Sequence, residues 1–292
     1  MFQWLENRHL MKPAHQKDEA LLLDIARARA DGRARLWWLG QSGFLVVTPQ
    51  ATILFDPYLS DSLTRKYEPT DKPHTRVTER VVAPEKLTGV DIITSSHNHT
   101  DHLDAETLLP LFDSNPQAKL VIPRANREFV LNRLGAVDSR LVEIDAGEFI
   151  TLGAVTLHGV PAAHNTVERD DHGRCRFLGF IAQAGGFTFY HSGDTLMHDG
   201  LIPAVAPFSP DVSFLPINGN KPGRRVAGNL DGREAAELAH ATHTRLAIPH
   251  HFDMFAFNTA SPGLFTAECK RLGQSHRVLA NGEGINLNPN AL

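Results

Sequence analysis

The chain has 292 residues, of which 42% are hydrophobic and 21% charged, values typical of a soluble globular protein with a sizeable core. Its net charge of −4 excludes a broad electrostatic attraction to nucleic acid or to an anionic membrane. Its two cysteines, Cys175 and Cys269, form neither a disulfide framework nor a CxxC zinc site, which favours the cytoplasm, whereas 16 histidines are consistent with metal chemistry.

The chain begins with a charged segment, MFQWLENRHLMKPAHQKDEA, whose lack of a long apolar core argues against a signal peptide. Residues 16–31 follow the pattern of an amphipathic helix. No segment approaches the roughly 18 apolar residues that a membrane span needs, so we expect no membrane association. Without repeats or a linker, we expect residues 1–292 to form one domain, with the helix as an N-terminal extension.

Short apolar segments rich in β-forming residues follow, interrupted by Gly and Pro, and predict strands. In the first half of the chain they cover residues 35–40, 43–48, 51–59, 89–96 and 119–123. Asp104 is a suitable N-cap for a helix over 105–112, and residues 124–135 predict another. The long polar segment 60–86 predicts an irregular loop, which in compact domains often forms a lid or a binding loop.

The second half repeats this style. Strands are predicted over residues 149–160, 176–184, 186–194, 211–219 and 245–251, and helices over residues 232–242 and 266–273. Two sheets covered on the outside by helices would bury these apolar segments.

A cluster of metal-binding side chains, SSHNHTDHLD, follows the predicted strand 89–96. In an extended segment, residues two apart point the same way, so His97 and His99 would reach one point. Asp101 and His102 would face a second point as the chain turns toward the next helix. Imidazole and carboxylate groups suit zinc, manganese or iron. A polar loop with chance histidines would not favour this alternating spacing.

Further ligands follow three later strands. The candidates are His158, His164, His191, Asp194, His250, His251 and Asp253. The combination of HxHxDH, a strand-end His, a GDT aspartate and a late His resembles the metallo-β-lactamase superfamily. Within it, ARLWWLGQSGFLV, YHSGDT and IPHHFD are most similar to the L-ascorbate-6-phosphate lactonase-like family.

The resemblance implies an α/β fold, an αββα four-layer sandwich with two divalent metals, Zn²⁺ or Mn²⁺, at one edge between the sheets. Each ligand is carried over by its motif. The first metal would be held by His97, His99 and His164, and the second by Asp101, His102 and His251, with Asp194 as the bridge. The superfamily's usual spacing after Pro249 selects His251, so His250 would pack or support the site.

The resemblance also implies a mechanism. A divalent ion lowers the pKa of a bound water to about 7, so that hydroxide exists at neutral pH, and it polarises the substrate oxygen. Asp101 or Asp194 would orient the nucleophile and pass a proton to the leaving group. The lactonases do not keep a clear histidine where His164 stands. The seven-ligand set in this chain therefore favours a dinuclear centre and weakens the transfer of one substrate.

The leading hypothesis is a metal-dependent hydrolase of a small anionic ester or lactone, such as a phosphorylated sugar lactone. The alternative on the same fold is a phosphodiesterase, of the phospholipid or nucleic-acid type. An oxygen-reducing di-iron protein would usually replace the second histidine with Glu, and His99 argues against it. A non-catalytic binding protein would have lost ligands. We expect a small-molecule substrate, no nucleic-acid partner and, as an open possibility, a homo-oligomer.

Other residues have less specific patterns. Asp56 could fix a ligand histidine or cap a turn before Pro57. His191 and His158 are predicted to be structural, and His240 and His243 to lie on the surface of a helix. The loop 216–228 carries residues that could bind an anionic substrate group or simply face solvent; these are Asn218, Lys221, Arg224 and Arg225. Arg174 and Arg176 are weaker candidates for the same role.

Overall fold

The structure, a computed structural model, describes residues 11–288. Residues 1–10 and 289–292 lie outside the described residues. The first half of the charged N-terminal segment and both ends of the expected domain 1–292 therefore also lie outside them. The first sheet contains β1 (Arg35–Gly40), β2 (Gly43–Val47), β3 (Thr52–Phe55), β4 (Ile92–Thr94), β5 (Lys119–Pro123), β6 (Leu141–Ile144) and β13 (Gly284–Asn286). The second contains β7 (Phe149–Leu152), β8 (Val155–Pro161), β9 (Leu178–Ala184), β10 (Phe187–His191), β11 (Val212–Pro216) and β12 (Leu246–His250).

Seven α-helices accompany these strands in residues 11–288. They are α1 (Asp18–Ala30), α2 (Ser62–Tyr67), α3 (Ala105–Ser114), α4 (Arg127–Leu134), α5 (Leu201–Val205), α6 (Gly232–Ala241) and α7 (Gly263–Leu272). Short 3₁₀ helices cover Pro84–Lys86, Arg124–Asn126, Asp138–Arg140, Ala206–Phe208 and Pro222–Arg224. Among the described residues, no helix combines the length and the apolar character needed to cross a bilayer.

The two large hydrophobic clusters of the core lie on opposite faces of the first sheet, which is buried on both, and a small third cluster contains Tyr58, Leu63, Met254 and Phe255. Side chains alternate across a strand, so Trp38 and Phe44 point toward the second sheet while Trp37 and Leu45 point outward. The outward side chains pack with apolar residues of α1, α3 and α4, and the helices α5, α6 and α7 cover the second sheet. These helices on two facing sheets form the αββα sandwich, which confirms the predicted fold class.

The order of the strands determines where the functional side chains meet. In the first sheet β3, β4, β5 and β6 run parallel, and in the second sheet β10, β11 and β12 do so. The carboxyl ends of parallel strands open at one edge of a sheet, where ligand sites of such sheets commonly form. The histidine-rich segment follows β4, and the motif HSGDT begins at the last residue of β10.

Most predicted elements are confirmed, and the exceptions have local causes. The segment 60–86 was expected to be an irregular loop, which is wrong in part, because it contains α2 and the 3₁₀ turn Pro84–Lys86. The short elements α5, β6 and β13 were not predicted, since pieces of three to five residues show no clear periodicity. His243 was expected on a helix and instead follows the end of α6, exposed and in a left-handed conformation.

Candidate metal centre

The segment after β4 bends back on itself and carries four of the candidate ligands. The backbone N–H groups of His102 and Leu103 both donate to the carbonyl of His99, at 3.1 and 2.8 Å. The extended conformation expected for this segment is wrong, because residues 97–102 form bends and a turn. His97 and His99 nevertheless lie in one group, since the turn brings their rings to 4.6 Å between centroids.

The first group of ligand atoms belongs to His97, His99 and His164, whose atoms lie within 4.8 Å of one another. His164 follows β8, and its Nδ1 lies 2.9 Å from the carbonyl oxygen of Gly228, to which it can donate. The Nδ1 of His97 lies 2.9 Å from the hydroxyl of Ser96. These contacts on the far side of each ring leave Nε2 free for a cation.

The second group belongs to Asp101, His102 and His251. His102 holds its ring through Nδ1, which lies 2.6 Å from the Asp56 carboxylate. Asp56 also accepts from the hydroxyl of Thr94 at 2.7 Å and is fully buried. Of the two roles considered for Asp56, the structure supports the one in which it fixes a histidine, here the candidate ligand His102.

Asp194 lies between the two groups. One carboxylate oxygen is 3.4 Å from Nε2 of His102, and the other is 3.6 Å from Nε2 of His164 and 3.3 Å from Nε2 of His251. The carboxylate therefore faces ligands of both groups, which is the arrangement that a bridging ligand requires.

The unpaired atoms at the centre show that these residues fit a cation. Nε2 of His97, Nε2 of His102 and Oδ1 of Asp194 are buried without a hydrogen-bond partner in the described part of the chain. Buried polar atoms normally have a partner, and the ligand atoms of these three residues lie within 4.8 Å of one another, so together they form a donor set that a cation would fit. Imidazole nitrogens and carboxylate oxygens are donors that zinc, manganese and iron accept.

The charges at the centre divide the histidines into two kinds. Burial lowers the pKa of His97 well below its usual value and that of His99 to about 4. Burial acts in the same direction on His251, but the facing carboxylates of Asp194 and Asp101 outweigh it and raise that pKa to about 9. The pKa of His102 is raised well above its usual value in the same way, because Asp194 and Asp101 overcome the effect of burial.

His250 and His251 lie in different environments. His251 has a left-handed backbone, with φ of +59°, which turns its ring into the centre. The ring of His250 stacks on His191 at 5.1 Å and meets Phe44 edge-on, and neither of its nitrogens has a hydrogen-bond partner among residues 11–288. His191 itself is buried and bonded through Nε2 to the Ser42 carbonyl at 2.8 Å, as a structural histidine would be.

The remaining candidates lie away from the centre. His158 packs on Phe149 and Phe208, and His240 is exposed on α6. The carboxylate of Asp253 pairs with Lys12 at 2.6 Å.

Gln41 is a site residue that the sequence argument did not identify. It lies in the turn between β1 and β2, and its side-chain nitrogen is 2.9 Å from Oδ2 of Asp101 and 3.0 Å from Nε2 of His251. Its backbone is left-handed, with φ of +48°, a conformation uncommon for residues other than Gly and often found at functional sites. The stretch ARLWWLGQSGFLV carries part of the family resemblance, but nothing in it indicates a left-handed turn at Gln41.

A cavity of about 460 Å³ opens over the centre, and Asp101, His99, His164, Asp194 and His251 form its floor. Its walls carry three cationic side chains that were not predicted for the site, which are Lys66, Lys72 and Arg133. The apolar part of the walls comprises Leu63, Tyr67, Phe129, Val226 and Phe255.

The predicted substrate-binding residues of the loop 216–228 do not line this cavity. Asn218 is buried and donates to the side-chain oxygen of Asn258 at 2.9 Å, and Lys221 is exposed. The guanidinium of Arg224 donates to the carbonyls of Asn218 and Thr259 at 2.6 and 2.7 Å. The loop instead contributes Val226 and Ala227 to the wall.

The other arginines considered for substrate binding lie outside the cavity as well. Arg225 pairs with Asp71 on the surface, and Arg174 pairs with Asp170 at 2.7 Å. Arg176 is exposed and is not among the residues that line the cavity.

Comparison with known proteins relates this chain to one family. A family profile described as the beta-lactamase superfamily domain matches residues 51–252. A UPF0173 metal-dependent hydrolase from Opitutus terrae is 29% identical over 256 residues, which cover 86% of this chain and 99% of the relative.

Two solved structures show the same fold. A novel metallo hydrolase from Ignicoccus hospitalis, Igni18, aligns with a TM-score of 0.65 and 20% identity over 87% of this chain and 98% of its own. CmlA, a diiron beta-hydroxylase from Streptomyces venezuelae, aligns with the same TM-score and 16% identity, over 87% of this chain and 54% of its own. At such identities the likeness concerns the fold and leaves the reaction open.

Proposed function

The chain belongs to the beta-lactamase superfamily, and on that basis we propose that it is a metal-dependent hydrolase acting on a small anionic ester or lactone. The observation that carries the proposal is the centre itself, where ligand atoms from four segments converge and three buried polar atoms have no partner in residues 11–288. The relative from Opitutus terrae, named a metal-dependent hydrolase, supports the same reaction class.

We assign the first ion to His97, His99 and His164 and the second to Asp101, His102 and His251, with Asp194 between them. Divalent ions such as Zn²⁺ or Mn²⁺, when bound, supply a Lewis acid and lower the pKa of water to about 7. Asp101 and Asp194 both border the cavity, so either carboxylate can hold the proton of an attacking water and pass it to the leaving group.

The charge of the cavity supports an anionic substrate. Three cationic side chains line its walls, and Asp101 and Asp194 are the only carboxylates among the residues that line it. Lys66 donates to the Thr100 hydroxyl at 3.2 Å and Lys72 to the Arg225 carbonyl. An ammonium group has three donors, so each lysine keeps capacity for a carboxylate or phosphate of the substrate.

A phosphorylated sugar lactone is the first substrate to test, because the motifs resemble the L-ascorbate-6-phosphate lactonase-like family. The apolar wall around Phe129 and Phe255 also suits a lactone with an acyl or aromatic substituent. A phosphodiester is anionic as well, and it remains the alternative substrate class. We also propose that the protein is cytoplasmic and that its substrate is a small molecule.

The test combines metal analysis with a substrate panel. Protein reconstituted with excess Zn²⁺ or Mn²⁺ should bind two ions per chain, measured by elemental analysis, and should hydrolyse lactones or carboxylic esters in preference to lactams. A plateau at one ion would defeat the dinuclear assignment. Phosphodiester cleavage without lactone hydrolysis would replace the proposed substrate class by the alternative.

A further inference from the structure

We infer that Gln41 is a positioning residue of the metal centre, which holds the carboxylate of Asp101 in place for the second ion. The expected effect on catalysis rests on the proposed function, whereas the expected effect on metal binding rests on the contacts of Gln41 alone.

The backbone of Gln41 is held on two sides, so that its side chain has a defined direction. The carbonyl oxygen of Gln41 accepts from Nε1 of Trp38 at 3.0 Å and from the backbone N–H of His251 at 3.1 Å. The preceding Gly40 has φ of +94°, a conformation that favours glycine, and a Cβ there would lie 2.5 Å from the terminal methyl of Met254 and 2.9 Å from the side-chain oxygen of Asn281. The turn after β1 is therefore tightly packed, and a backbone hydrogen bond joins it to His251, the residue that follows β12.

The side-chain amide reaches Oδ2 of Asp101, the oxygen that faces the two histidines of the second group. A carboxylate only accepts, so the nitrogen of the amide must be the atom that faces it. The bonded atom, Oδ2, lies 3.6 Å from Nε2 of His251 and 3.8 Å from Nε2 of His102. By donating to Oδ2 at 2.9 Å, Gln41 limits the rotation of the carboxyl group and keeps this oxygen directed at the two ring nitrogens.

The amide of Gln41 also lies beside His251, the second residue of this group that it approaches. The amide nitrogen lies 3.0 Å from Nε2 and 3.3 Å from Nδ1 of that ring, so it borders the edge that carries both nitrogens. Gln41 is buried, with 3% of its surface exposed, and no residue of the first group has a recorded contact with it. Its loss should therefore affect the second ion and leave the first one in place.

The strained backbone supports a functional role over a purely structural one. A left-handed turn position is most easily occupied by Gly, and a glutamine there stores strain that its contacts must offset. The side-chain amide donates to one proposed ligand, Asp101, and lies beside another, His251.

The experiment measures metal binding without turnover. Metal-free Gln41→Met, which keeps the length of the side chain without the donor, is titrated with Zn²⁺ against a chromophoric chelator, and its Co²⁺ absorption spectrum is recorded. We expect the first ion to bind as in the wild type and the second about 10- to 100-fold more weakly, the usual effect of removing a hydrogen bond to a ligand. The matched control is Ser42→Ala, which removes a buried neighbouring hydroxyl that has no partner within the described chain.

If Gln41→Met does not fold, Gln41→Gly removes the amide while relieving the left-handed backbone. Equal metal binding by the wild type and a folded Gln41 variant overturns the inference, whatever the number of ions bound. A wild type that binds ions but hydrolyses no substrate would defeat the proposed function and leave this inference standing. For a hydrolysed substrate, kcat should fall with KM unchanged, since Gln41 acts through Asp101.

Discussion

His250 and His251 are adjacent in the chain, and a single backbone angle separates their roles. His250 ends β12 and points into the core between the sheets, whereas the left-handed conformation of His251 directs its ring to the centre. Successive side chains of a strand point to opposite faces, so the sequence predicts that the two rings lie on opposite sides. It does not predict which of the two sides faces the other candidate ligands.

Substitution of each histidine should separate these roles. His251→Ala should lose the second ion and most of the activity, while His250→Phe should keep both ions and a thermal midpoint close to that of the wild type. The second expectation follows because replacing an unpaired buried polar group by an apolar one of similar shape removes no hydrogen bond. Elemental analysis and thermal unfolding decide, and a metal ion lost from the His250 variant would show that the wrong histidine was chosen.

The raised pKa values predict how metal binding depends on pH. In the metal-free protein His251, with a pKa of about 9, and His102 are protonated at pH 7, and each must lose its proton to bind an ion. His97 and His99 are already neutral. Calorimetric titration at pH 7 in buffers of different ionisation enthalpy should therefore show release of about two protons per chain, and metal affinity should rise between pH 7 and 9.

The sign of the stability effect follows from the same shift. A histidine with a raised pKa contributes stability that is present in full below its unfolded pKa of about 6.5 and is lost as the pH rises through about 9. The metal-free protein should thus lose stability over this range. No proton release on metal binding would contradict the charge state that we assign to both rings.

At the scale of elements, helix α2 and the segment after it form one wall of the cavity. They contribute Leu63, Lys66, Tyr67, Lys72 and His74. The sequence predicts that this segment is a loop of the kind that covers a binding site. The segment lines the cavity, which agrees with that function, although part of it is helical.

The two lysines of this wall should select anionic substrates. Lys66→Ala or Lys72→Ala should lower kcat/KM for an anionic lactone or ester about tenfold or more, the value of one charged hydrogen bond, and should leave a neutral analogue nearly unchanged. The control is Lys86→Ala, an exposed lysine that does not line the cavity. Equal losses on charged and neutral substrates would remove the lysines from substrate recognition.

Arg224 should behave differently, because its contacts are with the protein. Its guanidinium joins the loop 216–228 to Asn258 and Thr259. Arg224→Ala should therefore lower kcat/KM by a similar factor for a phosphorylated substrate and its unphosphorylated analogue, as the loop that carries Val226 loses its support. Steady-state kinetics on the pair tests this, and a loss confined to the phosphorylated substrate would place Arg224 in contact with the phosphate.

At the scale of the whole molecule, the candidate metal centre lies at one edge of the sandwich, and ion pairs lie elsewhere on the surface. Many surface arginines are paired with acidic residues; examples are Arg65 with Glu106, Arg124 with Glu148, Arg271 with Glu268 and Arg277 with Glu283. Paired charges on a surface give little long-range attraction for a polyanion.

We therefore expect no tight binding of nucleic acid. The net charge of −4 and the paired arginines should leave the affinity for RNA or DNA weaker than micromolar at physiological salt. Fluorescence anisotropy with labelled oligonucleotides measures it. Submicromolar binding that weakens steeply with added salt would identify a basic surface that the charge pattern does not show.

The pattern of the sequence predicted two sheets covered by helices, and the resemblance to the metallo-β-lactamase superfamily supplied the αββα fold and the seven candidate ligands. Strands of four to seven apolar residues and helices of ten or more leave a clear period in the chain, and the metal-binding motifs combine residue types that have few other uses at such spacing. Asp56 could also be selected from the sequence, because it follows an apolar strand. Its hydrogen bond to His102 could not be predicted, since 46 residues separate the two.

Only the tertiary structure decided which residues support the ligands and which line the cavity. Gln41 reaches Asp101 and His251 through contacts that span 60 and 210 residues, and no local pattern encodes such a contact. The cationic side chains that line the cavity are Lys66, Lys72 and Arg133, not the expected residues of the loop 216–228. The direction of each side chain depends on how separate elements pack, which no local pattern shows. Ligand types are a property of short motifs, whereas the direction in which a side chain points at a shared site is set by the whole fold.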